Sequence, residues 1–457
     1  MSSPPRGYTS LPAGRHHRSS VTHYRRERPS DPRSAAAALL SFLFPGFGQA
    51  YNRQYLLAGL LAAPVVLLII VVVLAIVGPG SFVSRLLDTG VLIAVIVLDV
   101  SLLGWRLVAI LQAHGARSGL TFRTWPTWLT AALVVLTLGM HVVPAYYATK
   151  AIDTLDSVSL EGGGALFDER EGRDVTITPP SHQPEVQRGE RVTVLLVGMD
   201  YAPGRTTHLT DTMLVVTLDS RTGEGAMVSV PRDLFGVPLP DGRTYNEKLN
   251  SLMSVAGADP ESFPLGGAGT LKATIGEMLG TRIHYFAAID LAGLREVIDT
   301  VGGIEVRVAR TVNDPQFHDP FTNEMGFYLE AGNHHLDGAT ALGYVRSRMG
   351  EGDSDFTRAE RQQQVLTAIA DKLSSGNILV TLPGLLDAIR DNLATDIPSG
   401  RISELAAEGQ DADLEGLERI VLAPPRYVTP EPFSASGYIL HPDLDAIRDL
   451  GARIFGS

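Results

Sequence analysis

Three long apolar segments in the first third of this 457-residue chain constrain its architecture more than any other feature. Residues 56–77 are almost continuously apolar, and residues 128–147 are apolar with aromatic side chains at both ends. Residues 86–111 are also largely apolar but contain Asp99 and Arg106. A helix of about 20 apolar residues crosses the hydrocarbon core of a bilayer, which is about 30 Å thick. The sequence therefore predicts three transmembrane helices.

Asp99 and Arg106 are charged residues deep inside the middle apolar segment. They are seven positions apart, so they share one face of a helix and can pair with each other or face the interior of the helix bundle. An ionisable residue inside a membrane is by default a functional hypothesis. We favour a structural role, because no other residue in these segments marks a transport path.

The topology follows from a basic tail and the number of spans. Residues 1–33 contain seven arginines, lack apolar periodicity and are predicted to be a disordered cytoplasmic tail. Residues 35–54 are interrupted by Pro45, Gly46 and Gly48, which favours a half-inserted segment over a span. Three spans then place the remainder of the chain outside the cytoplasm, whereas a spanning segment at 35–49 would reverse this prediction.

Composition divides the chain into four predicted regions. The basic tail at 1–33 precedes a membrane region at 34–150 and a linker at 151–190, which contains a Gly-Gly-Gly and a Pro-Pro sequence. A soluble domain follows at 191–457. The net charge of the whole chain is −12 although the tail is basic, so the remainder is strongly acidic. This excludes nucleic acid as an expected partner and leaves the lipid bilayer as the partner of the tail.

The soluble domain begins with three predicted strands at 192–197, 213–218 and 226–230, followed by alternating helices and strands. Asp200 ends the first strand, Asp211 precedes the second and Arg232 follows the third. If consecutive strands pair in antiparallel fashion, all three side chains lie at the same edge of the sheet.

Residues 344–364 carry the second group of charged candidates. Residues 344–348 are predicted to be extended, and Arg346 and Arg348 would then point to the same face. A helix over 355–373 is predicted next, with Asp355 as its N-cap.

One stripe of this predicted helix carries Arg358, Arg361 and Gln362 near the N-terminus. Guanidinium groups aimed from these two elements suit a phosphate or a pyrophosphate. Surface salt bridges to neighbouring acidic residues are the alternative, and Arg361 in particular has no assigned role.

Seven sequence blocks occur in a fixed order through the soluble domain. They are VTVLLVGMD (192–200), TDTMLVVTLD (210–219), VSVPRDL (228–234), YNEKLN (245–250), DTVGGIEV (299–306), AGNHHLDGATALGYVRSR (331–348) and DFTRAERQQQVL (355–366). Together they resemble the LytR-CpsA-Psr family of membrane-anchored bacterial cell-wall proteins, most strongly over about 190–375. The resemblance implies an α/β fold, an α/β/α sandwich with a central mixed sheet, here preceded by the transmembrane helices.

The resemblance also implies an activity. Such proteins transfer a glycopolymer from an undecaprenyl- or decaprenyl-pyrophosphate carrier to a peptidoglycan hydroxyl and form a phosphodiester. The carrier's lipid tail occupies an apolar tunnel, and Mg²⁺ assists. The expected protein is a multi-pass cell-membrane phosphotransferase with an extracytoplasmic catalytic domain. The alternatives are a polyprenyl-pyrophosphate binder or pyrophosphatase, and a membrane-anchored transcriptional attenuator.

The resemblance assigns roles to residues of this chain. Pyrophosphate binding is expected of Arg232, Lys248, Arg346, Arg348, Arg358 and Gln362. Metal binding is expected of Asp200 and Asp211, and catalysis of Asp211 and Arg232. In one place this sequence departs from the family pattern: Leu209, beside His208, stands where the family has an arginine. One phosphate contact is therefore missing or replaced.

Overall fold

The computed structural model describes residues 31–77, 88–118, 124–158, 190–200, 209–219, 221–375, 378–390, 392–410 and 416–456. The chain divides into two compact units. One comprises Met1–Leu68 and Leu102–Gly139, and the other comprises Ile69–Ser101 and Met140–Ser457. Most of the predicted basic tail, most of the predicted linker and His208 lie outside the described residues.

Five helices form the described part of the membrane region: α1 (Pro32–Leu43), α2 (Phe47–Tyr51), α3 (Tyr55–Val77), α4 (Thr89–Gly115) and α5 (Trp125–Val158). Within the described part of the chain, α3, α4 and α5 are long and apolar enough to cross a membrane. These are the three segments that the sequence predicts. The segment before α3 forms two short helices, of 12 and five residues.

Buried polar groups tie the first unit together. Gln49 is fully buried, and its Nε2 donates to the carbonyl of Ala109 over 2.8 Å. Arg106 donates to the carbonyl of Phe42 over 2.7 Å, with its guanidinium over the Phe42 ring. Arg106 thus has a polar partner within its own unit.

In the second unit, Asp99 of α4 contacts His141 of α5, with 2.8 Å between Oδ1 and Nδ1. Both side chains are largely buried. Asp99 and Arg106 therefore have separate partners rather than each other, which agrees with the structural role that we favour for both.

The predicted start of the linker at residue 151 was wrong. Helix α5 continues to Val158, and Ala151, Leu155 and Val158 are buried. These side chains recur three and four positions apart, so they form one packed face of the helix. Packing of this face stabilises the helix beyond the apolar segment.

Fourteen strands build the described part of the soluble domain. They are β1 (Arg191–Met199), β2 (Thr210–Asp219), β3 (Gly225–Ser229), β4 (Phe235–Pro238), β5 (Thr244–Lys248), β6 (Tyr285–Asp290), β7 (Ile304–Val308), β8 (Val312–His318), β9 (Met325–Leu329), β10 (Gly332–Leu336), β11 (Leu393–Thr395), β12 (Glu418–Val421), β13 (Val428–Ser434) and β14 (Gly437–Pro442).

The described helices of this domain are α6 (Leu252–Ala258), α7 (Gly266–Leu279), α8 (Leu291–Thr300), α9 (Gly338–Arg346), α10 (Asp355–Ser375), α11 (Ile378–Arg390), α12 (Ser399–Gln410) and α13 (Leu444–Phe455).

Six strands form a central mixed sheet in the order β11-β6-β1-β2-β3-β12. Strands β1, β2 and β3 pair in antiparallel fashion, whereas β6 runs parallel to β1 and β12 parallel to β3. The sheet is therefore mixed, as the family resemblance implies.

Helices cover both faces of the sheet. Alternate residues of β1, such as Leu195 and Val197, pack in a core with Leu271 of α7 and Ile447 of α13. The opposite face carries Leu196, which packs in a cluster with Leu366 of α10. Because alternate side chains of a strand point to opposite faces, this pattern confirms the predicted α/β/α sandwich.

The prediction of an extended segment at residues 344–348 was wrong. Residues up to Arg346 belong to helix α9, which begins after Asp337, whose side chain accepts from the backbone N–H of Thr340. Ala341, Leu342 and Tyr344 are buried. The N-cap and the helical spacing of these residues decide the local structure here, although the Tyr-Val pair favours a strand.

Candidate active site

The predicted edge of the sheet brings the first three candidates together. Asp200 follows β1, Asp211 is the second residue of β2, and Arg232 follows β3 by three positions. Arg232 donates from NH1 to Oδ1 of Asp211 over 2.8 Å. A bulge between Gly198 and Met199 shifts the register at this edge, and such bulges re-aim side chains next to active sites.

Arg346 reaches the same edge from the last position of α9. Its NH2 lies 3.4 Å from Oδ1 of Asp200, and its guanidinium lies 5.7 Å from the ring centroid of Phe317. It also donates to the carbonyl of His318 over 3.4 Å. The contact with Asp200 places the second group of candidates beside the first.

Asp355 joins three of the arginines and was missed as a site residue by sequence reasoning. Its Oδ1 lies 2.9 Å from Arg358, and 3.6 Å from each of Arg232 and Arg348. Arg358 in turn donates to the backbone carbonyl of Asp211 over 3.4 Å. The spacing of Asp355 and Arg358 on the helix was the available signal, since residues three apart face each other.

Lys248 and Gln362 lie at the margin of the cluster. Lys248 donates from Nζ to Oδ1 of Asp233 over 2.9 Å, and Asp233 also lies 3.5 Å from Nε of Arg232. Lys248 therefore joins the cluster through Asp233, a second carboxylate that sequence reasoning missed. Gln362 lines the cavity described below, and its Nε2 donates to the carbonyl of Val345 over 3.3 Å.

Arg361 is separate from this cluster. Its guanidinium donates to the carbonyl of Ser347, stacks on the Tyr344 ring at 5.4 Å and lies 3.5 Å from Asp353. These contacts fix the turn between α9 and α10. Arg361 therefore forms a salt bridge away from the cavity, as the alternative predicts for it.

The charges of the cluster are not evenly compensated. Burial disfavours the Arg232 cation, yet the carboxylates of Asp211, Asp355 and Asp233 raise the pKa of Arg232 above its ordinary value. Burial and the adjacent Arg232 charge lower the pKa of Arg358 instead. Arg358 is therefore a buried cation that shares Asp355 with two other arginines, and an anion at this point would stabilise it.

A cavity of about 580 Å³ begins at these arginines and continues along the second face of the sheet. Asp200, Asp211, Arg232, Arg346, Arg348 and Arg358 line its charged end. Its apolar wall contains Leu196, Leu214, Leu294, Leu366, Ile369, Leu373, Leu385, Ile389 and Leu393. Leu209 lines the cavity too, so this departure from the family pattern adds apolar surface.

Two carboxylates at this edge are expected to bind a metal ion. Among the residues that the structure describes, no three or more His, Asp or Glu side chains are grouped to hold a metal ion by themselves. Magnesium typically takes one or two carboxylates and fills its other positions with water and substrate phosphates. Asp200 and Asp211, both on the cavity wall, therefore fit a magnesium ion that binds together with a phosphorylated substrate.

Comparison with known proteins adds family information to this geometry. The model of the LytR_cpsA_psr family matches residues 166–425, a range that contains every arginine of the cluster. A teichoic acid transferase TagU of Enterococcus faecalis is 31% identical over 232 residues, covering 50% of this chain and 69% of the relative. The Bacillus anthracis protein with the same function name, a polyisoprenyl-teichoic acid–peptidoglycan teichoic acid transferase, is 27% identical over 227 residues, covering 50% and 67%.

Among solved structures, B. subtilis TagV is similar with a TM-score of 0.47 and 24% identity, covering 59% of this chain and 99% of TagV. A structure described as TagT bound to LIIa-WTA has a TM-score of 0.46 and 22% identity, covering 63% and 98%.

Proposed function

Because the chain belongs to the LytR_cpsA_psr family, we propose that it transfers a glycopolymer from a polyprenyl-pyrophosphate carrier to a hydroxyl of peptidoglycan, forming a phosphodiester. The names of the relatives support this class of reaction, since each describes a transferase that joins teichoic acid to peptidoglycan. The observation that carries the proposal is the cavity, which is apolar along its length and lined by arginines at one end.

The donor fits the cavity by its chemistry. A polyprenyl chain is apolar and suits the leucine and isoleucine wall, whereas a pyrophosphate carries negative charge and suits Arg232, Arg346 and Arg358. The arginines contact carboxylates at 2.8–3.6 Å. Binding of the pyrophosphate would exchange some of these carboxylates for phosphate oxygens at little cost in arginine conformation.

The acceptor hydroxyl attacks the phosphorus nearer the glycan. The bond from this phosphorus to the bridging oxygen breaks, and polyprenyl phosphate leaves with the bonding electrons. Asp211 lies at the charged end of the cavity beside Arg232 and takes the proton of the hydroxyl. The arginines hold the donor and neutralise charge that grows on the leaving phosphate, which is the main requirement of phosphoryl transfer.

Magnesium dependence is part of the proposal. Asp200 and Asp211 would hold the ion, which would add positive charge at the pyrophosphate. Asp200→Asn should then raise the Mg²⁺ concentration needed for half-maximal activity, and chelation with EDTA should abolish transfer. Full activity in EDTA would reject the metal without affecting the assignment of the arginines.

A reconstituted transfer assay tests the function. Full-length protein is given a polyprenyl-pyrophosphate-linked glycan, a peptidoglycan oligomer and Mg²⁺, and covalent glycan–peptidoglycan product is measured by mass spectrometry. We expect product with the unsubstituted chain and none above background with Arg232→Ala or Asp211→Ala. Arg243→Ala is the matched control, because Arg243 pairs with Asp241 at the exposed surface. Release of glycan phosphate without acceptor product would instead identify a pyrophosphatase.

The orientation in the membrane is proposed as well, with the soluble domain outside the cytoplasm. The three apolar helices support membrane insertion, and a cytoplasmic start of the chain then places the end of α5 outside. Protease added to intact spheroplasts should remove the domain. Its full protection under conditions that digest lysed cells would reject this orientation.

A further inference from the structure

Helix α11 contributes to two surfaces at once. Leu385 and Ile389 are one helical turn apart and line the apolar part of the cavity. Leu386 is buried in a different cluster, with Leu92 of α4 and Leu155 of α5. Successive residues of a helix are turned by about 100°, so one face of α11 can close the cavity while the next contacts the membrane helices.

The contact with the membrane helices is apolar at its centre. Leu92, Ala148, Ala151, Leu155 and Leu386 are its buried members, and Ile96, Ile152 and Ile402 pack against them. Leu386 and Leu155 are 2% and 3% exposed, so the contact is as dry as a protein core. Lys150 of α5 forms an ion pair with Asp387 of α11 at its margin.

The position of the contact along the helices fits the predicted topology. Helix α5 has 34 residues, a length of about 51 Å, which exceeds the bilayer core of about 30 Å. The apolar segment of α5 ends near Tyr147, so the residues from Ala148 to Val158 extend beyond the core. Leu92 lies near the first residue of the antiparallel neighbour α4, at the same end of the helix pair. Leu92 of α4 and the last residues of α5 therefore lie on the proposed extracytoplasmic side.

We propose that α11 docks on the outer ends of α4 and α5 and so holds the apolar part of the cavity at the bilayer surface, where a polyprenyl chain passes from the membrane into the cavity. This inference rests on the proposed function. Docking would spare the hydrocarbon chain exposure to water while it moves from bilayer to protein. Under this proposal, α4 and α5 position the cavity in addition to anchoring the protein in the membrane.

Charge reversal at the margin tests the inference on the full-length protein. Asp387→Lys places two cations together and should lower transfer from a decaprenyl donor in lipid vesicles about fivefold. Lys150→Asp should do the same, and the double variant, which restores opposite charges, should recover transfer to within about twofold. Leu386→Asp, which puts a charge into the dry centre, should have a larger effect. Asp445→Lys is the matched control, since it makes the same change at an exposed position of α13.

A short-chain donor separates docking from damage to the domain. With a farnesyl-pyrophosphate-linked glycan in detergent, no chain has to leave a bilayer, so Asp387→Lys should retain full transfer. Equal losses in the two assays would overturn docking, because the substitution would then act on the catalytic domain itself. Unchanged transfer in vesicles by both Asp387→Lys and Leu386→Asp would overturn it as well.

A cross-link reports docking without any turnover. The chain contains no cysteine, so Lys150→Cys with Asp387→Cys provides a single pair of thiols at the accessible margin of the contact. A short bis-maleimide should link them in membranes, and should fail with Lys150→Cys and Ser436→Cys, which lies between β13 and β14. Absence of the first cross-link would reject docking. Unsubstituted protein that transfers nothing in either assay would reject the proposed function, while the cross-link would still decide on docking.

Discussion

Two charged clusters in the soluble domain differ in how their cations are paired with carboxylates. Lys272 and Asp396 form a buried ion pair; Lys272 also donates to the carbonyl of His284 over 3.1 Å, and Asp396 accepts from the backbone N–H of Phe286 over 2.6 Å. The arginine cluster holds Arg232, Arg346, Arg348 and Arg358, and its contacts with carboxylates face a cavity. The first cluster pairs one cation with one carboxylate, whereas in the second three arginines share the Asp355 carboxylate beside a cavity.

This contrast shows that burial of charge alone does not identify a site. Lys272 is 8% exposed and Arg358 is 7% exposed, so the two cations are equally buried. They differ in what surrounds them, since Lys272 pairs with Asp396, whereas Arg358 shares Asp355 with Arg232 and Arg348 and lies beside the Arg232 cation. On this difference we assign Lys272 to the fold and Arg358 to the ligand site.

The largest effect should come from breaking the complete pair. Lys272→Met leaves the Asp396 carboxylate buried without its cation, which should cost about 3–5 kcal/mol in the free energy of unfolding. Denaturant unfolding of the detergent-solubilised protein measures this loss. Lys272→Met with Asp396→Leu should recover most of the stability. Transfer activity per folded molecule should stay unchanged. A loss of activity without a loss of stability would show that Lys272 acts in the reaction and that its assignment to the fold is wrong.

Removal of the under-compensated cation should have the reverse signature. Arg358→Met should lower the rate of transfer about 100- to 1,000-fold, because a preorganised cation at the pyrophosphate is lost. Its free energy of unfolding should be unchanged or slightly higher, since the fold no longer holds two neighbouring cations. Both quantities are measured on the same preparation. A large loss of stability would assign Arg358 to the same structural class as Lys272.

Asp290 is a buried carboxylate of the cavity wall whose contribution to stability should depend on pH. Its side chain caps α8 by accepting from the backbone N–H of Gly293 over 2.8 Å, and it lines the cavity. Burial, despite that hydrogen bond, raises the pKa of Asp290 to about 6. An unfolded aspartate has a pKa of about 3.9. Between these two values the folded protein keeps a proton that the unfolded chain releases, so this group's contribution to stability falls as the pH rises from about 4 to about 6.

Asp290→Asn should therefore be more stable than the unsubstituted chain at pH 7.5, by about 2–3 kcal/mol, and equally stable at pH 4. The amide oxygen of asparagine can still accept from Gly293, so the cap is kept. Denaturant unfolding at the two pH values measures the difference. An advantage of the asparagine that does not depend on pH would show that Asp290 is ionised in the folded protein and would contradict the raised pKa.

Much of the fold was predictable because its signals are local. Apolar length predicts α3, α4 and α5, and the antiparallel order of the first three strands correctly brings Asp211 next to Arg232. Residues 344–348 were not predictable from strand propensity, since the N-cap at Asp337 and the packing of Tyr344 impose a helix. Local preferences are overridden where tertiary packing favours another structure.

The carboxylates of the site were harder to predict than its arginines. The arginine pattern marks an anion site, but Asp355 and Asp233 also have ordinary roles at a helix start and after a strand. The contact of Asp355 with Arg232 joins segments far apart in the chain. Sequence spacing carries no information on such contacts, so the degree of compensation in the cluster is visible only in three dimensions.

The smallest of these effects concerns the most exposed arginine of the cluster. The Arg348 side chain is 40% exposed, against 8% for Arg358, although both contact Asp355. Arg348→Lys keeps the charge but loses the planar guanidinium, which can bind two phosphate oxygens at once. We expect about a tenfold higher KM for the donor, with kcat lowered less than about threefold. Steady-state kinetics against donor concentration measures both, with Arg310→Lys as the control, since the Arg310 side chain is 50% exposed and also pairs with an aspartate, Asp353. If kcat falls as strongly as at Arg358, then Arg348 also acts in the transition state, and the distinction by exposure within the cluster is wrong.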